Sequence, residues 1–365
     1  SSKRDLFLFI WLNNEWLKLK LIIDKYPDMV RIPLLDDSGE TALHLAVRRN
    51  YRGIVKELVK LMRPEDMLIP NSSGDTALHQ AAREGSLEIV KELVNLMRPE
   101  DMLIPNSSGD TALDLAVSKG RIEIVDELVK RMRPEDMLIP NSSGDTTLHV
   151  AASKGWIRIV DELVKRMRPE DILIPNSSGD TALHLAVKRD SLEIVNELLN
   201  RMRSEDMLIP NSSGDTALHL AVKRGSLEIV NELVKRMRPE DMLIPNSSGD
   251  TALHLAVKID SLEIVNELVK CMRPEDMLIP NSSGDTAFHL AVKRGSLEIV
   301  NELVKRMRPE DMLIPNSDGM LQVHLAASCG YNRMVDILSS QKVLDKMDFK
   351  DIERLFMMTI RFNIF

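Results

Sequence analysis

The stretch that decides the fold is GDTALHLAVKRGSLEIVNELVKRMRPEDMLIPNSS, residues 214–248. Thr216 precedes a run of small and apolar residues, and a Thr hydroxyl can cap a helix by accepting a hydrogen bond from an early backbone N–H. Gly225 suits the left-handed conformation on which helices often end. These signals predict a short first helix between Thr216 and Gly225.

A second helix is predicted over Leu227–Met237, where apolar residues recur at helical spacing. Pro239 ends it, because proline cannot continue a helix and restrains the residue before it. Met242-Leu243-Ile244 is an apolar patch that we expect to pack beneath the helices, and residues 245–250 have turn chemistry. The unit is therefore helix, tight turn, helix and a long arm.

This unit recurs every 35 residues, nine times, beginning at Gly39, Gly74, Gly109, Gly144, Gly179, Gly214, Gly249, Gly284 and Gly319. Repeat positions are counted below from this turn glycine as position one. Position twelve holds only residues that tolerate a left-handed φ, namely Asn50, Gly85, Gly120, Gly155, Asp190, Gly225, Asp260, Gly295 and Gly330.

A fixed period means that each unit buries its apolar side on its neighbours. We predict an all-α solenoid of stacked helix-turn-helix units with long turn arms. Nine repeats occupy residues 39–338, a degenerate capping repeat occupies 1–38, and a linker with an apolar helix, which we expect to be truncated, occupies 339–365.

Composition excludes several classes of function. With 48 basic and 56 acidic residues, the net charge of −8 argues against broad nucleic-acid binding, which needs an electropositive surface. Two cysteines, Cys271 and Cys329, make no disulfide framework and indicate a reducing, intracellular setting. No segment of the sequence reaches the length of an apolar membrane span.

The repeat resembles the ankyrin repeat. Thr216-Ala217-Leu218-His219-Leu220-Ala221 matches the family's Thr-Pro-Leu-His-x-Ala with Ala in place of Pro, and Gly225 and Leu227-Glu228-Ile229-Val230 also match. The period of 35 exceeds the usual 33, and the extra length falls in the arm. The arm, that Ala and both chain ends resemble plant ankyrin proteins of the accelerated-cell-death type. Those proteins carry a C-terminal membrane domain, which implies a cytosolic domain here, attached to a membrane only through a missing segment.

The repeated polar residues favour structure over chemistry. All eight histidines share position six, where the resemblance implies bonds to the local Thr and to neighbouring backbone, and Asp114 replaces them once. A zinc site needs three or four converging ligands. Glu240-Asp241 and its copies suit a helix start, since acids favour helix N-termini. Met237 and Met242 and their copies are expected in the core. We predict no enzyme, no metal, no cofactor and no small-molecule substrate.

The family's groove is formed by turn tips and the exposed ends of first helices. Carried over, this implies positions two, ten and eleven and the Asn-Ser-Ser before the turn glycine. Position two is acidic in almost every repeat, and positions ten and eleven are mostly basic. We predict an acidic ridge beside a basic stripe, densest from Lys188 to Arg294, that holds an extended charged partner segment; the alternative is a solvated face of mixed charge. The partner-binding candidates are Arg48, Arg49, Asp180, Lys188, Arg189, Asp215, Lys223, Arg224, Asp250, Lys258, Lys293, Arg294 and Trp156.

Trp156 replaces Ser at the start of one second helix, and it is either a binding anchor or a local packing change.

The leading functional hypothesis is a protein-binding scaffold, which the resemblance extends to plant defence or stress signalling. A structural or engineered array without a ligand is the alternative, and a helical-repeat RNA reader is a third. Self-association through the apolar residues near Phe365 is left open.

Overall fold

The computed structural model describes residues 16–34 and 37–362. Two short α-helices followed by one turn of 3₁₀ helix make up each of the first eight repeats, and the ninth has the two α-helices alone. The first fifteen residues of the predicted capping repeat and the last three residues of the predicted apolar helix lie outside the described residues. Contacts divide the chain into two units, Ser1–Ser177 and Ser178–Phe365.

The first unit contains nine described α-helices. They are α1 (Trp16–Lys25), α2 (Ala42–Arg48), α3 (Arg52–Leu61), α4 (Ala77–Glu84), α5 (Leu87–Val94), α6 (Ala112–Ser118), α7 (Ile122–Val129), α8 (Thr147–Lys154) and α9 (Ile157–Val164). Its 3₁₀ helices are Pro27–Arg31, Pro64–Leu68, Pro99–Leu103, Pro134–Leu138 and Pro169–Leu173.

The second unit contains twelve described α-helices. They are α10 (Ala182–Arg189), α11 (Leu192–Leu199), α12 (Ala217–Arg224), α13 (Leu227–Val234), α14 (Ala252–Lys258), α15 (Leu262–Lys270), α16 (Ala287–Arg294), α17 (Leu297–Val304), α18 (Gln322–Ser328), α19 (Asn332–Leu338), α20 (Gln341–Leu344) and α21 (Phe349–Arg361). Its 3₁₀ helices are Ser204–Leu208, Pro239–Leu243, Pro274–Leu278 and Pro309–Leu313.

Within each unit, consecutive first helices pack side by side, and each second helix packs on its own first helix. The core is made of small and aliphatic side chains, such as Ala217, Leu218, Ile229 and Val230, each at most 2% exposed. Small residues on the first helices allow close approach of neighbouring helices, so the framework is the same from repeat to repeat.

The second helix of the repeat is shorter than predicted. It ends at Val234 instead of Met237, where the Arg236 N–H donates to the carbonyl of Leu233. The arm contains the 3₁₀ helix Pro239–Leu243, and Pro239 opens it because the fixed φ of proline suits a first helical position. Met242 is buried, as expected, but Met237 is only half-buried.

The left-handed column at position twelve is confirmed. Every residue there has a positive φ, including the non-glycines Asn50, Asp190 and Asp260. The short helix therefore ends on a residue that accepts this conformation, and the second helix begins two residues later.

Candidate partner-binding surface

The histidine column ties consecutive repeats together, and His44 shows how. Its Nδ1 accepts a hydrogen bond from the Thr41 N–H at 3.2 Å and lies 2.9 Å from the Thr41 hydroxyl. Its Nε2 lies 2.9 Å from the backbone carbonyl of Asp75, one repeat on. A carbonyl can only accept, so Nε2 carries the proton and Nδ1 accepts.

Burial lowers the pKa of His44 and keeps the ring in this neutral form. The tie between Nε2 and the next repeat recurs at His79, His184, His219 and His254. In the last repeat, His324 Nε2 lies 2.9 Å from the carbonyl of Asp351 in the C-terminal helix instead. Both ring nitrogens of each of these histidines are therefore occupied by hydrogen bonds to backbone groups. No group of three or more His, Cys, Asp or Glu in the described part of the chain is arranged to hold a metal ion.

Most of the predicted acidic ridge is buried in this structure. Asp180, Asp215 and Asp250 are each 3% exposed. The Asn246 side-chain amide donates to Asp215 Oδ1 at 2.9 Å from the next repeat, while Asn246 Oδ1 accepts from backbone N–H groups of its own turn. These carboxylates face inward because they link repeats, so they present no acidic edge to a partner.

The predicted basic stripe is partly neutralised by the same carboxylates. The Lys293 ammonium donates to both Asp285 oxygens at 2.7 Å, and Lys188, Lys223 and Lys258 form the equivalent pairs with Asp180, Asp215 and Asp250. In the first unit, Arg48 makes the same pair with Glu40. Hydrogen bonds from Lys258 and Asn281 outweigh burial and lower the pKa of Asp250.

The cations at position eleven have no carboxylate partner in their own repeat. Arg49 and Arg189 are exposed and make no ion pair in residues 16–34 and 37–362. Arg224 and Arg294 are also exposed, and they lie 3.9 and 3.7 Å from Asp190 and Asp260 of the preceding repeats. These four arginines at the ends of first helices are therefore exposed cations that no buried carboxylate neutralises.

Trp156 lies over the preceding repeat and is 39% exposed. A Cβ placed on Gly120 would come within 2.9 Å of the indole, so the ring packs directly on that glycine. Ile157 beside it is 37% exposed. The contact supports local packing and leaves an apolar edge in solvent, and the role of Trp156 as an anchor stays a prediction.

The repeated Glu-Asp pairs belong to the 3₁₀ helices. Asp241 Oδ2 accepts from the Arg238 backbone N–H at 3.1 Å, and the Arg238 guanidinium donates to both Asp241 oxygens. These bonds lower the pKa of Asp241. The adjacent Glu240 is exposed. The pairs therefore stabilise the start of a helix, as predicted.

Sequence reasoning missed one local anomaly in the first unit. Asp110 and Asp145 are half-buried and have no cationic partner, because position ten holds Ser118 and Ser153 in these two repeats. Between them, Asp114 is 2% exposed and its Oδ1 has no hydrogen-bond partner. The two serines are visible in the sequence. Their significance depends on the ion pairs between positions two and ten, which only the structure shows.

These features define a class: stacked helical repeats in which a Thr–His contact caps each first helix and the histidine ties most repeats to the next one. The sequence matches two family profiles, one described as ankyrin repeats (3 copies) and one as ankyrin repeats (many copies). The first matches residues 58–137, 127–209, 202–279 and 264–349, and the second matches residues 29–79. The chain belongs to the ankyrin repeat family, and the predicted all-α ankyrin solenoid is confirmed.

A similar solved structure is the ankyrin repeat domain of Bcl-3, described as a unique member of the IkappaB protein family. It is 28% identical with a TM-score of 0.55, and the match covers 64% of this chain and 100% of that chain. Comparison with curated protein sequences gave no significant match. Among the helices in the described residues, none combines the length and apolarity needed to cross a membrane.

Proposed function

We propose that this protein is a protein-binding scaffold that holds its partner along the exposed ends of the first helices. One observation supports this most. Repeats 214–248 and 284–318 differ at only two positions, and the framework is nearly constant, yet positions ten and eleven vary along the chain from Arg-Arg through Ser-Lys to Lys-Ile. Variation on an accessible face over a constant framework is what a recognition surface requires.

The arginine row Arg189, Arg224 and Arg294 is the proposed contact in the second unit. These side chains are exposed, and rim charges of this kind govern association rate and partner choice more than affinity. The lysines at position ten are less suited, because each is paired with a buried Asp. We therefore expect a partner segment that is acidic where it meets the row.

The test is capture of partners by the full chain and by two charge-reversal variants. Arg189/Arg224/Arg294→Glu changes the row, and Lys235/Lys270/Lys305→Glu makes the same change in net charge on exposed lysines of second helices. A partner identified with the unmodified chain is expected to be lost by the first variant and kept by the second. If both variants retain every captured protein, the row binds nothing, and a structural array without a ligand becomes the better description.

The wider role that we propose is defence or stress signalling in plants, with this domain on the cytosolic side. Its support is the likeness of the arm and the Ala after Thr to accelerated-cell-death-type ankyrin proteins. Sequencing the complete transcript tests it, since that likeness requires apolar spans downstream of this domain. A transcript that encodes none would remove this proposal and leave the scaffold unaffected.

A further inference from the structure

Most acidic residues at position two have a cation of their own repeat. The pairs in the two units are Glu40–Arg48, Asp75–Arg83, Asp180–Lys188, Asp215–Lys223, Asp250–Lys258 and Asp285–Lys293. The six acids are at most 4% exposed. A carboxylate and a cation eight residues on therefore form a standard element of the repeat.

Asp110 and Asp145 lack this cation. The Ser118 hydroxyl donates to the carbonyl of Leu115 at 3.0 Å, and the Ser153 hydroxyl donates to the carbonyl of Val150 at 2.9 Å. Both serines thus bond their own helix and leave the carboxylates alone. The lysines that follow them at position eleven make no ion pair within the described residues, so no neighbour replaces the missing charge.

The two carboxylates are nevertheless held in place. Asn141 donates to Asp110 Oδ1 at 3.4 Å, and Asn176 donates to Asp145 Oδ1 at 2.8 Å, as at the paired sites. Asp110 and Asp145 are both more exposed than the position-two acids that have a cation. Each carboxylate therefore keeps the asparagine contact of the ion-pair sites, although this contact is longer at Asp110, and lacks the cation of its own repeat.

A second observation marks the same joint between repeats. Asp114 occupies the column whose side chains elsewhere reach the position-two carbonyl of the next repeat, which here belongs to Asp145. It is 2% exposed, and its Oδ1 has no partner. Its other oxygen accepts from the Thr111 N–H and hydroxyl at 2.8 Å. An acceptor is thus left unsatisfied inside a joint whose surface acids also lack a cation.

We propose that this joint binds an extended basic segment of a partner protein, two of whose Lys or Arg side chains pair with Asp110 and Asp145. The inference rests on the scaffold function and gives it a second contact of opposite sign to the arginine row. Packed helices lie about 10 Å apart, so equivalent carboxylates on neighbouring repeats have about this spacing. A polyproline II segment places residues i and i+3 on one side about 9 Å apart, so cations at i and i+3 fit.

The probe is a short proline-rich peptide with two arginines at i and i+3, and its control carries citrulline at both places. Binding to the full chain is followed at low salt through the backbone amide signals of Asp110 and Asp145. Ser118→Lys/Ser153→Lys installs the position-ten cation of the other repeats, and Ser213→Lys/Ser283→Lys adds the same charge at exposed turn serines of the second unit.

We expect Ser118→Lys/Ser153→Lys, the filled-in variant, to bind the arginine peptide about tenfold more weakly, since two partly exposed ion pairs are worth roughly 1.4 kcal/mol together. The turn-serine variant, Ser213→Lys/Ser283→Lys, shows how much of the loss comes from added positive charge alone. The citrulline peptide shows how much of the binding comes from the shape of the peptide without its charge. Asp110→Asn/Asp145→Asn should weaken binding to a similar extent and guards against a folding artefact. Equal affinity for the unmodified and filled-in chains, or for the arginine and citrulline peptides, overturns the proposal.

The captured partners distinguish failure of this inference from failure of the scaffold. A partner lost by the arginine-row variant but kept by Ser118→Lys/Ser153→Lys, together with no peptide preference, would leave the scaffold standing without this contact. Loss of the same partner by the filled-in variant, with retention by the turn-serine variant, supports the inference directly.

Discussion

Two neighbouring joints in the first unit differ in the side chain at position six. At the first, His79 caps its own helix through Thr76 and reaches the carbonyl of Asp110 in the next repeat at 3.1 Å. At the second, Asp114 keeps the bond to Thr111 but is too short to reach onward, and its Oδ1 is unsatisfied. The same column thus supplies a tie in one joint and a buried charge in the next.

The joints without a tie share a compensating feature. Trp156 packs on Gly120 across the joint of Asp114. In the second unit, His289 Nε2 makes no hydrogen bond of normal geometry, and there Tyr331 packs on Gly295 in the same way. An aromatic ring on a position-twelve glycine therefore accompanies both of these joints, and we infer that its apolar contact offsets the weakened tie.

Breaking the intact tie should have the largest effect. His79→Ala removes the bonds to Thr76, the tie to Asp110 and a buried ring, and should cost about 4 kcal/mol of local stability. Native-state hydrogen exchange of helices Ala77–Glu84 and Ala112–Ser118 measures this, because repeat arrays do not unfold in one step. Unchanged protection of both helices would show that the tie contributes nothing.

Removing the buried charge should have the next largest effect, with the opposite sign. Burial raises the pKa of Asp114 from 3.8 to about 6, and the charge of Asp110 adds to this. At pH 7.5 the folded joint holds a carboxylate that it disfavours by about 3 kcal/mol. Asp114→Asn should therefore stabilise helices Ala112–Ser118 and Thr147–Lys154 by up to this amount.

The pH dependence of that gain fixes its cause. A raised folded-state pKa adds stability that is complete below 3.8 and is lost as the pH rises through 6. The gain from Asp114→Asn should thus approach zero near pH 4 and reach its full size above pH 7. His79 behaves oppositely, because burial lowers its pKa and acid weakens its tie. A gain from Asp114→Asn that is independent of pH would mean that packing, not charge, is the cause.

The contrast between these joints also shows what sequence alone can supply. The period, the left-handed column and the local role of the histidines follow from residue type and spacing. The inward direction of the position-two side chains could not be predicted in this way. Only the structure shows that Asn246 donates a hydrogen bond to Asp215, 31 residues earlier in the chain. An acidic column next to a basic one predicted a surface ridge, while the fold made most of it an interior network.

Trp156→Ser restores the residue found in most repeats and should cost about 1 kcal/mol, because it removes an aromatic contact that is partly exposed. Exchange of helices Ile122–Val129 and Ile157–Val164 measures the loss. Tyr331→Ser is the matched change at the second untied joint. A Trp156→Ser chain with unchanged exchange but weaker partner capture would identify the indole as a binding anchor instead of a packing residue.

Ser118→Lys should have the smallest effect on the stability of the free chain. It changes only one feature of the joint, the missing cation beside Asp110. It gives Asp110 the cation that Asp75 has in Arg83, and a pair this exposed is worth about 0.5 kcal/mol at low salt and less at high salt. Native-state hydrogen exchange of helix Ala112–Ser118 at two ionic strengths measures the gain, with Ser213→Lys as the control. Such a small gain, set beside a large loss of arginine-peptide binding, would mean that Ser118 leaves the cation site open to a partner at little cost in stability.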